Sequence, residues 1–87
     1  MVRKATAFFD AGEPCEAEAN MARLLPSEAA WACAEACLTT FGDYAFACEY
    51  DIERKWRESR LARTAPISSN LILSFIGQHV LGMPKSY

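Results

Sequence analysis

The chain has 87 residues, of which 52% are hydrophobic and 23% charged, and its formal net charge is −2. This is the composition of an ordinary globular protein, and its interleaved acidic and basic residues offer no concentrated basic surface for nucleic acid. A chain this short buries only about 60–65% of its unfolded surface, so its apolar faces are expected to need further cover.

Residues 3–9 contain no helix breaker and carry Ala5, Phe8 and Phe9, which predicts a short helix closed by the turn Ala11-Gly12-Glu13-Pro14. Gly12 suits the left-handed position after a helix, and Pro14 stops continuation and can open the next one. The apolar run behind Arg3 and Lys4 ends at Asp10 and is too short for the core of a secretory signal, so a cytoplasmic protein is expected.

From Cys15 to Thr40 the chain is rich in Ala, Glu, Leu and Met, and a long amphipathic helix is predicted. Met21, Leu25, Ala29, Ala32, Ala36 and Thr39 follow helical spacing and are read as its inward side. Pro26 removes one backbone hydrogen bond and crowds the Ala22 carbonyl, predicting a kink at 22–25 or a break with a restart. The many alanines suit close approach of a neighbouring helix. Gly42 is placed as the left-handed cap after Phe41.

Residues 49–63 read as a charged helix with Glu49, Asp51 and Glu53 at its start and Arg57, Arg60 and Arg63 toward its end, which complements the helix dipole. The pairs Asp51–Lys55, Glu53–Arg57 and Arg54–Glu58 are spaced i,i+4, and Ile52, Trp56 and Ser59 form a narrow inward face. The last helix is predicted over 66–81, opened by Pro66 in its first turn and ended by Gly82 and Pro84. Its Leu71, Ile72, Leu73, Phe75, Ile76, Val80 and Leu81 cover more than one side, so cover from two directions is expected. The stretch from Ala65 to Met83 has no Lys, Arg, Asp or Glu, but Pro66, three serines, Asn70, Gln78 and His79 interrupt it, and no membrane span is expected.

No nucleophile, base and orienting group can be assembled, and the turn at Gly42 lacks the repeated glycines of phosphate loops. Cys33 and Cys37 lie one turn apart without the Cys-x-x-Cys spacing of metal or redox turns, and His79 is the single histidine. The four cysteines are therefore expected to be reduced, buried thiols with no metal site. His79 reads as an interface residue or a complement to the dipole at its helix end.

Several segments resemble, in order, the C-terminal helical domain of acyl-CoA dehydrogenases. They are Phe9-Asp10-Ala11-Gly12, the run from Glu18 to Leu25, Ser27-Glu28-Ala29-Ala30-Trp31, Gly42-Asp43-Tyr44-Ala45-Phe46, the run from Glu49 to Arg60, Ala65-Pro66-Ile67-Ser68-Ser69-Asn70-Leu71, and the tail from His79 to Tyr87. Enzymes of that family are flavoproteins in which a carboxylate takes an α-proton from an acyl-CoA thioester while FAD takes the β-hydride. The resemblance implies an all-α fold, with three helices and an N-terminal helix stub of a four-helix up-and-down bundle, in one partial domain spanning 1–87.

It also implies site positions. A glutamine and a Gly-Gly-x-Gly turn that contact the FAD of a neighbouring subunit correspond here to Thr39, Gly42, Asp43 and Ala45, so one glycine is kept and two are replaced. Ser68 and Asn70 match the Thr and Gln positions that touch the flavin. Pro66 fills the slot of the glutamate base, so no catalytic residue is expected in this chain. The family's other domains are not among these residues, so the chain alone is expected to be inactive and to hold no FAD. A second copy or a full-length dehydrogenase subunit would complete the bundle. The competing expectation is a non-enzymatic module that uses the same helices for self-association.

Overall fold

The computed structural model describes residues 1–85; Ser86 and Tyr87, the end of the tail that carries part of the resemblance, lie outside it. Four α-helices follow one another: α1 Val2–Asp10, α2 Glu16–Phe41, α3 Ile52–Leu61 and α4 Ser69–His79. Two 3₁₀ turns, Gly42–Phe46 and Cys48–Tyr50, join α2 to α3. There is no strand among the described residues, so the fold is all-α as expected.

α2 is the axis of the molecule, and α1, α3 and α4 all pack against it. It runs unbroken through Pro26, so no restart occurs there. Ser27, the next residue, is buried, and its hydroxyl donates to the Leu24 carbonyl at 2.8 Å, so its own polar group is satisfied. α1 folds back antiparallel through a turn in which Gly12 takes a φ of 71°. The Glu13 amide donates to the Phe8 carbonyl and the Lys4 ammonium meets Glu18 at 2.9 Å, which fixes α1 along the first turns of α2.

The inward side of α2 differs from the expected one. Leu24, Trp31, Ala34 and Leu38 are half-buried beside the buried Ser27, whereas Leu25, Ala29, Ala32, Ala36 and Thr39 are exposed. Both sets keep helical spacing, and the larger side chains won: Trp31 stacks against Trp56 of α3 with ring centroids 5.2 Å apart. Aromatic pairs bury far more area than methyl groups, so the tryptophan pair sets the rotation of α2.

Two helix starts also move. α3 begins at Ile52 rather than 49, because Asp51 sits in the left-handed region at φ 60° and the preceding residues form a 3₁₀ turn. Out of helical register, Asp51 pairs with Arg54 at 3.1 Å instead of the expected Lys55. Glu53–Arg57 and Arg54–Glu58 form as spaced, at 2.8 and 2.9 Å. α4 begins at Ser69 rather than 66: Pro66 lies in the turn before it, and Ser68 caps the helix by accepting the Leu71 N–H at 3.4 Å.

The core is small. Ala45 and Ile72 are the buried hydrophobic residues, at 0% and 2% exposure. Ile72 points at α2 while Leu71 and Leu73 on either side are exposed, so of α4's broad apolar surface one stripe is covered. The cysteines were expected inside, yet Cys33, Cys37 and Cys48 are exposed and Cys15 is half-buried, all four unbonded. Cys33 and Cys37 line an open groove between α2 and α3.

Candidate functional site

The turn between α3 and α4 is held by arginines. Arg23 of α2 has no acidic residue three or four positions away on its own helix, and its guanidinium donates instead to the carbonyls of Ala62 and Ala65. These belong to the end of α3 and the start of the next turn, where carbonyls have no helical partner. Arg63 reaches α2 by pairing with Glu28 at 2.9 Å. Its own carbonyl accepts both the backbone N–H of Ser69, at 3.1 Å, and the Ser69 hydroxyl, at 3.2 Å.

This clamp shapes a polar cleft of about 200 Å³ lined by Arg60, Arg63, Thr64, Ser68, Ser69 and Asn70. Two of the expected flavin-contacting residues, Ser68 and Asn70, therefore share one cleft. The Ser69 and Leu71 N–H groups, the Arg63 guanidinium and the Arg60 guanidinium, which lies over the Trp31 ring at 5.2 Å, already have partners, so the Asn70 amide and the Ser68 hydroxyl are the donors it offers. Ser68 already spends its oxygen on the Leu71 amide, leaving its hydroxyl hydrogen to donate. Two neutral donors of this kind suit a carbonyl oxygen. Arg60 and Arg63 were read from the sequence as dipole complements alone; their i,i+3 spacing just before a Ser-Ser helix start was the available signal for the cleft.

The other expected contacts lie elsewhere. Thr39 stands in the last turn of α2, eleven residues beyond the Glu28 that holds Arg63, or roughly 16 Å along the helix, and Gly42 and Asp43 lie just past the helix end. Thr39 donates its hydroxyl to the Glu35 carbonyl at 3.0 Å, turning it back on its own helix. Gly42 ends α2 with a φ of 57° but a ψ of −132°, a positive-φ conformation outside the left-handed helical region expected of the cap, and a Cβ there would meet nothing within 4 Å. The glycine is needed for its backbone angle and not for the close approach of another group. The exposed Asp43 carboxylate and the carbonyl end of a 26-residue helix both disfavour a phosphate. Ser68 and Asn70 at the α4 cleft carry groups able to hydrogen-bond the polar edge of a flavin, whereas the Gly42 turn does not suit a pyrophosphate.

Pro66 offers no ionisable group, and the nearest charged side chains to the cleft are basic. Among the described residues no group of three or more His, Cys, Asp or Glu could hold a metal ion. His79 stacks on Phe75 with centroids 4.3 Å apart, and its Nδ1 lies 3.1 Å from the Phe75 carbonyl oxygen, in the last turn of α4. No helix is long and apolar enough to cross a membrane among the described residues.

The all-helical fold is the one the sequence resemblance implied. Residues 1–81 match the family described as acyl-CoA dehydrogenase, C-terminal domain, and the chain belongs to that family. Among curated relatives it is 35% identical over 89 residues to the acyl-CoA dehydrogenase FadE12 of Mycobacterium tuberculosis, an alignment covering 100% of this chain and 23% of the relative. It is 42% identical over 52 residues to the (2S)-methylsuccinyl-CoA dehydrogenase of Cereibacter sphaeroides, covering 60% of this chain and 10% of that protein. The chain thus spans less than a quarter of the length of these relatives. No solved structure matches it.

Proposed function

We propose that this chain is the C-terminal helical part of an FAD-dependent acyl-CoA dehydrogenase, contributing a wall of the flavin site and no catalytic base. The observation that carries this reading is the α4 start, where Ser68 and Asn70 share one donor-lined cleft with Arg60 and Arg63 while Pro66 occupies the base position. FAD supplies hydride acceptance in that family. This chain's part is to hold and orient: the Asn70 amide and the Ser68 hydroxyl offer hydrogen bonds to the flavin's polar edge, and Arg23 keeps the turn that presents them.

The reaction class is α,β-dehydrogenation of an acyl-CoA thioester, with the α-proton taken by a carboxylate outside these residues. The chain alone is accordingly inactive and binds no stoichiometric FAD, and its place is the cytoplasm. The test is direct. The purified 87-residue chain is expected to show no flavin absorbance and no acyl-CoA-dependent reduction of an electron acceptor. A stoichiometric flavin spectrum, or turnover lost on mutating a residue of this chain, would refute the reading.

A second reading, an interaction module built on the same helices, is favoured by one observation. Phe9 and Phe46 are each 76% exposed and Leu81 68%, an unusual amount of uncovered large apolar surface for so small a protein. Co-purification with a full-length acyl-CoA dehydrogenase subunit, with unchanged kinetics of that enzyme, would favour the module over the enzyme part.

A further inference from the structure

Two thiols that the flavin-wall reading does not use stand together on one wall of an open groove. Ala30, Cys33, Cys37 and Phe41 recur at steps of three and four residues, so they share one face of α2. That face, with Tyr50, Ile52 and Lys55 opposite, bounds a groove of about 530 Å³. Cys33 and Cys37 are both exposed and unbonded.

Helix geometry limits what the pair can do. α2 is continuous from Glu16 to Phe41, so the two residues lie one turn apart with their Cβ atoms about 5–6 Å from each other. A disulfide needs Cβ atoms about 3.5–4.5 Å apart, so the two sulfurs cannot bond to each other while the helix stands. An ion set between them spans the gap, because two metal–thiolate bonds of roughly 2.3 Å in line add to about 4.6 Å. Among the described residues no third His, Cys, Asp or Glu joins the pair. Structural zinc and iron–sulfur clusters take four such ligands. Two soft thiolates without companions suit Cu(I) instead, a d¹⁰ ion content with two sulfurs.

Charge makes the same choice. Binding forms two Cu–S bonds, breaks two S–H bonds and releases two protons; the copper stays monovalent, and the two thiolates leave the centre with one negative charge. A cation to balance it stands in the same groove. Lys55 was expected to pair with Asp51, but Asp51 is held by Arg54 at 3.1 Å, and no acid lines the groove. Ser59, the other polar group on that wall of α3, donates its hydroxyl to the Trp56 carbonyl at 2.8 Å. Phe41 and Ile52 bring no ligand atoms, and such an apolar shell keeps competing oxygen ligands from the ion. A divalent ion on two thiolates would be neutral and would leave the lysine without a role. We propose that Cys33 and Cys37 form a two-coordinate Cu(I) site whose charge is balanced by the Lys55 ammonium. The site does not depend on the dehydrogenase reading, because it rests on the groove between α2 and α3 alone.

The test uses the full 87-residue chain, reduced and free of oxygen, titrated with Cu(I) supplied as its acetonitrile complex against a coloured Cu(I) chelator. One tightly held Cu(I) per chain is expected, with two protons released at about pH 6, where free thiols are protonated. Zinc(II) is expected not to bind stoichiometrically. Because both cysteines are exposed, Cys33→Ser and Cys37→Ser should each keep the helical far-UV spectrum and abolish the tight site, whereas the double change Cys15→Ser, Cys48→Ser should retain it. Lys55→Met is expected to weaken Cu(I) binding by about 10-fold. One copper per two chains, a tight site that survives loss of either Cys33 or Cys37, or equally tight binding of zinc would overturn the proposal. An unchanged Cu(I) affinity in Lys55→Met would overturn the role given to the lysine, whatever the outcome of the flavin and turnover assays.

Discussion

The two long sides of α2 start from similar material and meet opposite fates. One side carries Leu24, Ser27, Trp31, Ala34 and Leu38 and is covered by α3 and α4; the other carries Leu25, Ala29, Ala32 and Ala36 and is bare beyond α1. Helical spacing is equally good on both. The difference lies in bulk and in polar partners: a tryptophan pair, a Trp-to-Glu hydrogen bond and the Glu28–Arg63 ion pair all fall on the covered side. A methyl stripe packs against a neighbour of the right shape, whereas a tryptophan requires cover wherever it stands.

Substitutions sharpen the contrast. Ile72 is the most buried large side chain, so Ile72→Asp is expected to leave the chain unfolded at 25 °C, and Ile72→Ala to cost about 2–5 kcal/mol in a urea titration. Leu71→Ala, one position away at 56% exposure, should cost far less at concentrations where the chain is monomeric. Equal losses for the two would show that α4 is rotated from its described position.

Trp56→Ala removes the stacking on Trp31 and leaves Glu35 without its indole donor, for an expected loss of about 3 kcal/mol, the low end for a core tryptophan because the residue is half-buried. The matching change on the bare side, Leu25→Ala, should stay within about 0.5 kcal/mol for the monomer. Ser68→Ala deletes the cap of α4 and should cost about 1 kcal/mol, read as a lower urea midpoint with unchanged slope.

The smallest expected effect is on acid stability. The Arg54 hydrogen bond holds the Asp51 carboxyl below the usual carboxylate range, and the Lys4 ammonium does the same for Glu18. An unfolded Asp titrates near about 3.9 and an unfolded Glu near about 4.3. Stability from these pairs is therefore fully present above those values and lost as pH falls through the lower folded ones. Asp51→Asn should flatten the acid limb of the melting curve between pH 5 and 2 (about the range where carboxylates titrate) and change little at pH 7. An unaltered acid limb would mean that the Asp51–Arg54 contact is absent in solution.

Much of the fold was legible locally. Helix existence followed from propensity and breakers: Gly12 and Pro14 end α1, Gly42 ends α2, and the charges of α3 pair at i,i+4 where the helix is regular. The starts of α3 and α4 were misjudged because turn geometry overrides composition. Asp51 enters the left-handed region, and Ser68, not Pro66, supplies the cap oxygen. Of the candidate site, Ser68 and Asn70, singled out by the resemblance, fall on one cleft, while Arg23, Arg60 and Arg63 around that turn carried no obvious motif. Thr39, Gly42 and Asp43 lie at the far end of α2.

The sequence by itself determined the all-α class, the family and the number of helices, because periodicity, breakers and the order of motifs are properties of the chain read one turn at a time. The tertiary structure decided which side of α2 faces inward, where the cysteines lie, and which arginine reaches which carbonyl. Those outcomes depend on competition between distant groups for the same surface. Trp31 and Trp56 are 25 residues apart, and nothing within either helix announces that their contact, rather than a row of alanines, would set the rotation of the axis on which the rest is hung.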